Sequence, residues 1–174
     1  LIGRSRNNVT KALESAKVRL LALGMNIYDP VANPNKAFLG SIGEPHVFLG
    51  YEIVPGLYPP SPSAQGKLIA QIDALLDSGK GSIRKAARGS PVAAHERCYA
   101  QTLVAIDHTV RGWRGSFRSS MCVSTFNRID REIERKLADF DAFFRSHTKS
   151  ADPGRRRRAM GINLLADGNY PTFE

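Results

Sequence analysis

Apolar positions recur at helical spacing from the start of the chain. In SRNNVTKALESAKVRLLALG, Val9, Leu13, Ala16, Leu20 and Leu23 fall three or four residues apart, which predicts an amphipathic helix with one buried face, Ser5 as its N-cap and Gly24 as its stop. The period then changes. MNIY, KAFLG and HVFLGYEIV read as short strands, separated by the turn-forming segments DPVANPN and SIGEP. A helix beside a small sheet makes an α+β unit.

Beyond the prolines at 55, 59, 60 and 62 the pattern is helical throughout. SAQGKLIAQIDALLDSG sets Leu68, Ile72 and Leu75 on one face, with Ile69 and Leu76 beside them. SPVAAHERCYAQTLVAIDHTV opens on Ser90 as cap and Pro91 in the first turn, and aligns Tyr99, Leu103, Ile106 and Val110. STFNRIDREIERKLADFDAFF places Phe126, Ile129, Ile133, Leu137, Phe140 and Phe144 at steps of three and four, with charged residues opposite. Three such stripes bury themselves against one another, so residues 61–146 read as a helical bundle and the prolines as a stiff hinge before it. The expected organisation is an α+β unit over 1–56, helices over 57–146 and a basic tail over 147–174.

Charge adds a second layer. The chain of 174 residues carries 25 Lys and Arg against 16 Asp and Glu, a net charge of +9. The excess is uneven: residues 1–36 sum to +4, 37–79 to −3, 80–136 to +7 and 137–174 to +1. Basic residues concentrated on one region are the footprint of a polyanion, because each neutralised phosphate releases condensed counterions; a solvated surface that keeps the protein soluble is the other reading. No apolar run approaches the ~20 residues of a membrane span and Leu1-Ile2-Gly3-Arg4 does not resemble a secretory signal, so a cytoplasmic protein with no membrane partner is expected. Cys98 and Cys122 are too few for a disulfide framework. The chain does not begin with Met, which reads as a piece of something longer.

Several residues carry a resemblance when taken in order. A helix after Gly3 leads to Leu23-Gly24-Met25-Asn26, then a lysine, then Phe48-Leu49-Gly50-Tyr51, then Pro59 to Ser63 opening a helix. Gly112-Trp113, Phe117 and an amphipathic helix through Ile129-Asp130 follow. Over nearly all of its length to about residue 146, this order resembles the C-terminal part of a reverse transcriptase of the retron and group II intron type. The resemblance implies the end of a palm-like subdomain, a turn that grips the primer, and a three-helix thumb-like bundle. Phe48, Leu49, Gly50 and Tyr51 would form the grip, where glycine lets backbone approach a primer terminus closely. Without that context, the same residues read as a buried strand with a glycine bulge.

Lys36 matches by order a family lysine that assists the departing pyrophosphate, a role suited to a positioned ammonium; it reads equally as a surface lysine. Family members hold two Mg2+ on paired aspartates, and this sequence has no Asp-Asp pair. The resemblance therefore implies Mg2+ for the parent polymerase, no cofactor in this chain, and a partner in the upstream catalytic part of the same polymerase. Alone, the chain is expected to be inactive, binding RNA and RNA–DNA duplex.

Basic residues supply the remaining candidates. Arg111, Arg114 and Arg118 stand at i, i+3 and i+7, one face of a helix that would track a duplex backbone while Trp113 and Phe117 anchor it. Arg84, Lys85 and Arg88 read as a glycine-flanked loop suited to phosphate contact. Arg155, Arg156, Arg157 and Arg158 form the densest basic run, either a strip for RNA or a charged, disordered linker, and INLLADGNYPTF after it is apolar enough to dock on the body. His95, Cys98, His108 and Cys122 have no familiar zinc spacing, and no phosphate-loop or dinucleotide glycine pattern occurs. The alternative to a polymerase part is a stand-alone basic helical module that binds RNA or a protein.

Overall fold

The computed structural model describes residues 1–34, 36–41 and 43–163. The fold is mostly helical with one small antiparallel sheet, a coarse α+β class. In order it comprises α1 (Arg6–Leu21), β1 (His46–Phe48), β2 (Tyr51–Ile53), α2 (Pro62–Ala87), α3 (Tyr99–Ser116), α4 (Val123–Thr148) and α5 (Pro153–Met160). Two compact units result, Leu1–His46 and Val47–Glu174. Among the described residues no helix is long and apolar enough to cross a membrane.

In the first unit, α1 begins and ends as its sequence dictates. The Ser5 hydroxyl accepts the Asn8 N–H at 3.3 Å, and Gly24, at φ +75°, closes the helix with N–H bonds from Gly24 to Leu21 and from Met25 to Leu20, both 2.9 Å. Lys17 ties the helix to the next turn by reaching Glu14 at 3.0 Å and Asp29 at 3.1 Å. The expected strands MNIY and KAFLG are not formed. Asp29 instead accepts the Val31 and Ala32 N–H groups in a side-chain turn, and Asn33 O receives Lys36 and Ala37, so the Pro/Asn segment spends its backbone bonds locally. Val9, Leu13, Ala16 and Leu20 are only half-buried and Leu23 is exposed; among the described residues of this unit none is fully buried.

The second unit holds the core. HVFLGYEIV is a hairpin, not one strand: β1 and β2 pair across the two-residue turn Leu49-Gly50, whose φ values of +50° and +82° suit the right-handed twist of a tight hairpin. The prolines are not an extended hinge. Val54 and Leu57 close a second turn around Pro55 and Gly56, at φ +77°, the chemistry of a type II turn. The chain then runs back along β2, with the Glu52 N–H on Pro59 O at 2.8 Å and the Ser61 N–H on Gly50 O at 2.7 Å. Prolines fit this edge because no neighbouring strand needs their missing N–H.

Helix α2 is the spine, packing on α3, α4 and α5. Its cap is Ser61, whose hydroxyl accepts the Ala64 N–H at 3.2 Å, with Pro62 in the first turn. It does not stop at Gly79 and Gly81, where the sequence suggested a loop, but continues to Ala87 because Ile83 and Ala86 extend the buried stripe. It ends at Gly89, φ +82°, with N–H bonds from Gly89 to Ala86 and from Ser90 to Lys85. Ser90 and Pro91 therefore finish α2 and do not open α3, which starts at Tyr99 with the Gln101 side chain accepting the Cys98 N–H at 3.0 Å. In α4 the expected stripe holds: Ile129, Ile133, Phe140 and Phe144 are buried, and Phe126 and Leu137 half-buried. The basic run is a helix, α5, capped by Asp152, stopped by Gly161 and seated through buried Ala159. The expected docking of the last segment falls on residues 164–174, which lie outside the described residues.

At the centre, Gly79 lets α2 press against buried Thr102 of α3 and buried Phe140 of α4. A Cβ there would fall inside van der Waals contact with Thr102 Oγ1 and stand 3.1 Å from Phe140 Cζ. Gly66, on the same helix, has nothing within 4 Å of that position. Gly66→Ala should therefore stabilise the protein by about 0.5–1 kcal/mol through helix propensity. Gly79→Ala should destabilise it by roughly 1–3 kcal/mol through overpacking. Urea unfolding of the two variants beside the parent chain checks both signs.

Candidate nucleic-acid interface

The hairpin is joined to the bundle at the end formed by the start of α2, the end of α3 and the start of α4. The Tyr51 hydroxyl donates to Ser116 O at 2.8 Å, and its ring meets Phe117 edge-on at 4.9 Å between centroids. Gly50 is packed so closely that an added Cβ would sit 3.3 Å from Phe117 Cζ. Trp113 lies between Phe117 at 4.6 Å and Phe126 at 6.1 Å, and its indole N–H donates to Ala64 O at 3.3 Å. Aromatic packing thus holds the turn against three helices. Beyond this lock, Phe48 is 60% and Leu49 80% exposed. The reading of a buried strand with a bulge is replaced by a solvent-facing tip, with Leu49 in left-handed backbone that a non-glycine residue adopts at a cost of about 1–3 kcal/mol.

The arginines expected on one helical face have three different situations. Gly112 and Gly115 lie inside α3, but the helix ends at Ser116 and Arg118 lies past it, because Phe117 leaves helical geometry to reach the aromatic cluster. Arg111 pairs with Asp107 one turn earlier at 2.9 Å. Arg114 is exposed but tethered, donating to Phe117 O at 3.1 Å and lying 4.5 Å over the Phe126 ring. Arg118 is exposed beside buried Phe117 and has no ion-pair partner among the described residues. Arg128 of α4, absent from the sequence-based candidates, reaches Gln65 of α2 near the same end. A polar residue on an otherwise solvated helix face gives no sequence signal of this kind.

The other basic candidates gather at the opposite end of the bundle. Arg84, Lys85 and Arg88 occupy the last turns and cap of α2, not a flexible loop. Arg84 lies 4.9 Å over the Phe143 ring, and Lys85 pairs with Glu96, a contact that, with the Ala93 N–H, holds the Glu96 carboxyl below its ordinary value. Arg88 is exposed. On α5, Arg155 pairs with Asp152 at 2.9 Å and lies against the bare Cα of Gly89, where a Cβ would stand 3.1 Å from Nε. Arg156 and Arg157 are exposed, while Arg158 faces partly inward. Since α2 has 26 residues, its two ends are about 39 Å apart. The structure brings Arg114, Arg118 and the hairpin together and keeps them from the α2–α5 arginines.

Lys36 belongs to the first unit. It donates to the Tyr28 hydroxyl at 3.2 Å and lies 4.4 Å from the centre of that ring. Cys98 and Cys122 are both buried, and burial pushes the Cys98 thiol up, away from the thiolate a nucleophile or zinc ligand needs. Among the described residues no three His, Cys, Asp or Glu side chains converge to hold a metal ion. Compared with protein-family models, curated proteins and solved structures, the chain matches none significantly.

Two expectations follow from this geometry. Arg114→Ala should lower the melting temperature by about 2–4 °C, and Arg118→Ala should leave it within about one degree, since only the first removes a cation–π contact and a hydrogen bond. Leu49→Gly should raise stability by about 1 kcal/mol by relieving the positive φ; differential scanning calorimetry on the three variants reads these effects together.

Proposed function

We propose that the chain is the palm-end and thumb part of an RNA-directed DNA polymerase of the retron and group II intron type, which grips primer and template while catalytic aspartates outside it perform the chemistry. The observation that carries this reading is the Phe48–Tyr51 hairpin. Its tip presents backbone and apolar side chains outward, while Tyr51 and Gly50 fasten it to the helical bundle. A turn that holds a non-glycine residue at φ +50° persists because its surroundings over-determine it, and such strain gathers at ligand clamps. The grip-like tip and exposed Arg118 share one end of the thumb-like bundle, so a bound duplex would meet a backbone clamp and a cation together.

The first unit adds support. The apolar stripe of α1 is only half-buried, and Val18, Leu21, Met25 and Val31 of the same unit are exposed, which fits the closing edge of a larger palm-like domain whose remaining part would cover them. That remaining part is the proposed protein partner. Lys36 keeps its proposed place near the departing pyrophosphate.

The test is binding of the full chain to an RNA–DNA duplex, a single-stranded RNA and heparin across salt concentrations. The polymerase reading expects a duplex preference of roughly tenfold and a steep salt slope that becomes shallower by about 1 in Arg118→Ala. Equal affinity for duplex and heparin, or a slope unchanged in that variant, would leave a basic helical module without a grip.

A further inference from the structure

At the α5 end of the bundle apolar and basic side chains lie side by side. Beside α5 a shallow cleft of about 300 Å³ is lined by Ala151, Pro153, Arg156, Arg157, Met160 and Ile162. Its floor is apolar and two arginines stand at its rim, neither with an ion-pair partner among the described residues. On another face of α5, packing on α2 lays Arg155 against Gly89, the residue after exposed Arg88. Asp152 is the carboxylate that answers Arg155, whereas Arg156 and Arg157 carry exposed charges on the cleft.

We propose that this cleft and the adjoining arginines form a single-stranded nucleic-acid site, separate from the hairpin end. An unpaired base would lie on Pro153, Met160 and Ile162, and the flanking phosphates would meet Arg156 and Arg157. The combination selects its ligand. A free phosphate has nothing to place on the apolar floor, a duplex hides its base faces, and an unpaired nucleotide offers both a flat apolar surface and an anion. Arginine suits the rim because its planar fork pairs with phosphate oxygens two at a time. The two ends of α2 would then contact different stretches of nucleic acid, about 39 Å apart for its 26 residues. The site does not depend on the polymerase reading, because neither the hairpin nor any catalytic residue takes part in it.

The test measures anisotropy of a labelled twelve-nucleotide RNA, the matching DNA, an abasic strand of equal length and an RNA–DNA duplex on the full chain. Arg156→Ala/Arg157→Ala should weaken single-strand binding about tenfold or more and make its salt slope shallower by about 2. Duplex binding should change less than about twofold in that variant, while Arg118→Ala should show the reverse pattern. Met160→Asp, which keeps both arginines, should also weaken the single strand, and all variants must retain the parent melting temperature within a few degrees. The RNA and DNA arms state which strand the cleft prefers, and binding of either in this pattern supports the site. Equal affinity for the abasic strand overturns it, as does single-strand affinity unchanged in both α5 variants. Loss of duplex preference in the parent chain would sink the thumb reading and leave these α5 comparisons fully readable.

Discussion

The second unit depends on how closely α2 can approach its neighbours. At Gly79 the helix has no side chain, and the space is filled by Thr102 and Phe140, both fully buried. Everything that packs along α2 is set by that crossing. Toward the N-terminal end, Leu68 and Ile72 meet the helices that converge on Trp113; toward the C-terminal end, Ile83 and Ala86 support α3 and α5. A bulkier residue at 79 would lift α2 from both partners at once. The helix-propensity cost of glycine, about 1 kcal/mol relative to alanine, is offset by dispersion contacts that a wider crossing would forfeit.

This crossing also explains what was hidden in the sequence. A glycine inside an apolar pattern reads as a helix stop, so Gly79 and Gly81 suggested a loop and Arg84, Lys85 and Arg88 were assigned to it. Only the partners across the crossing reveal that Gly79 serves close packing. The third bundle helix was fully legible, because α4 needs nothing but its own periodic stripe from Phe126 to Phe144. The start of α3 was not, since Ser90-Pro91 has the chemistry of a helix beginning but is used to end α2. The true cap position holds Cys98, a residue type with no capping preference. α5 could have been found. Asp152, Pro153 and Gly161 are a cap, a first-turn proline and a stop at suitable spacing, although the arginine run between them also has the composition of a charged linker.

The candidate site was legible by residue type more than by arrangement. Phe48, Leu49, Gly50 and Tyr51 stand together as expected, but as a turn and not a strand, because a period-2 pattern says nothing about where a chain reverses. Arg111, Arg114 and Arg118 are regularly spaced in sequence, yet one is paired to Asp107, one is packed on Phe126 and one lies beyond the helix. Spacing identifies a face only while the helix lasts. Whether a cation is available depends on neighbours that come from other helices, and no single segment encodes them.

The continuity of α2 also fixes orientation between the two ends of the bundle. The helix enters from the hairpin side through Ser61 and leaves through Gly89 after 26 residues without interruption. Each residue turns the axis by about 100°. Inserting or deleting one residue between Gly66 and Ile83 would therefore rotate the α5 arginines by over a quarter-turn relative to the hairpin, even with every side chain retained. The helix acts as an angular ruler: its residue count, and not its composition, determines which way the two charged ends of the bundle point.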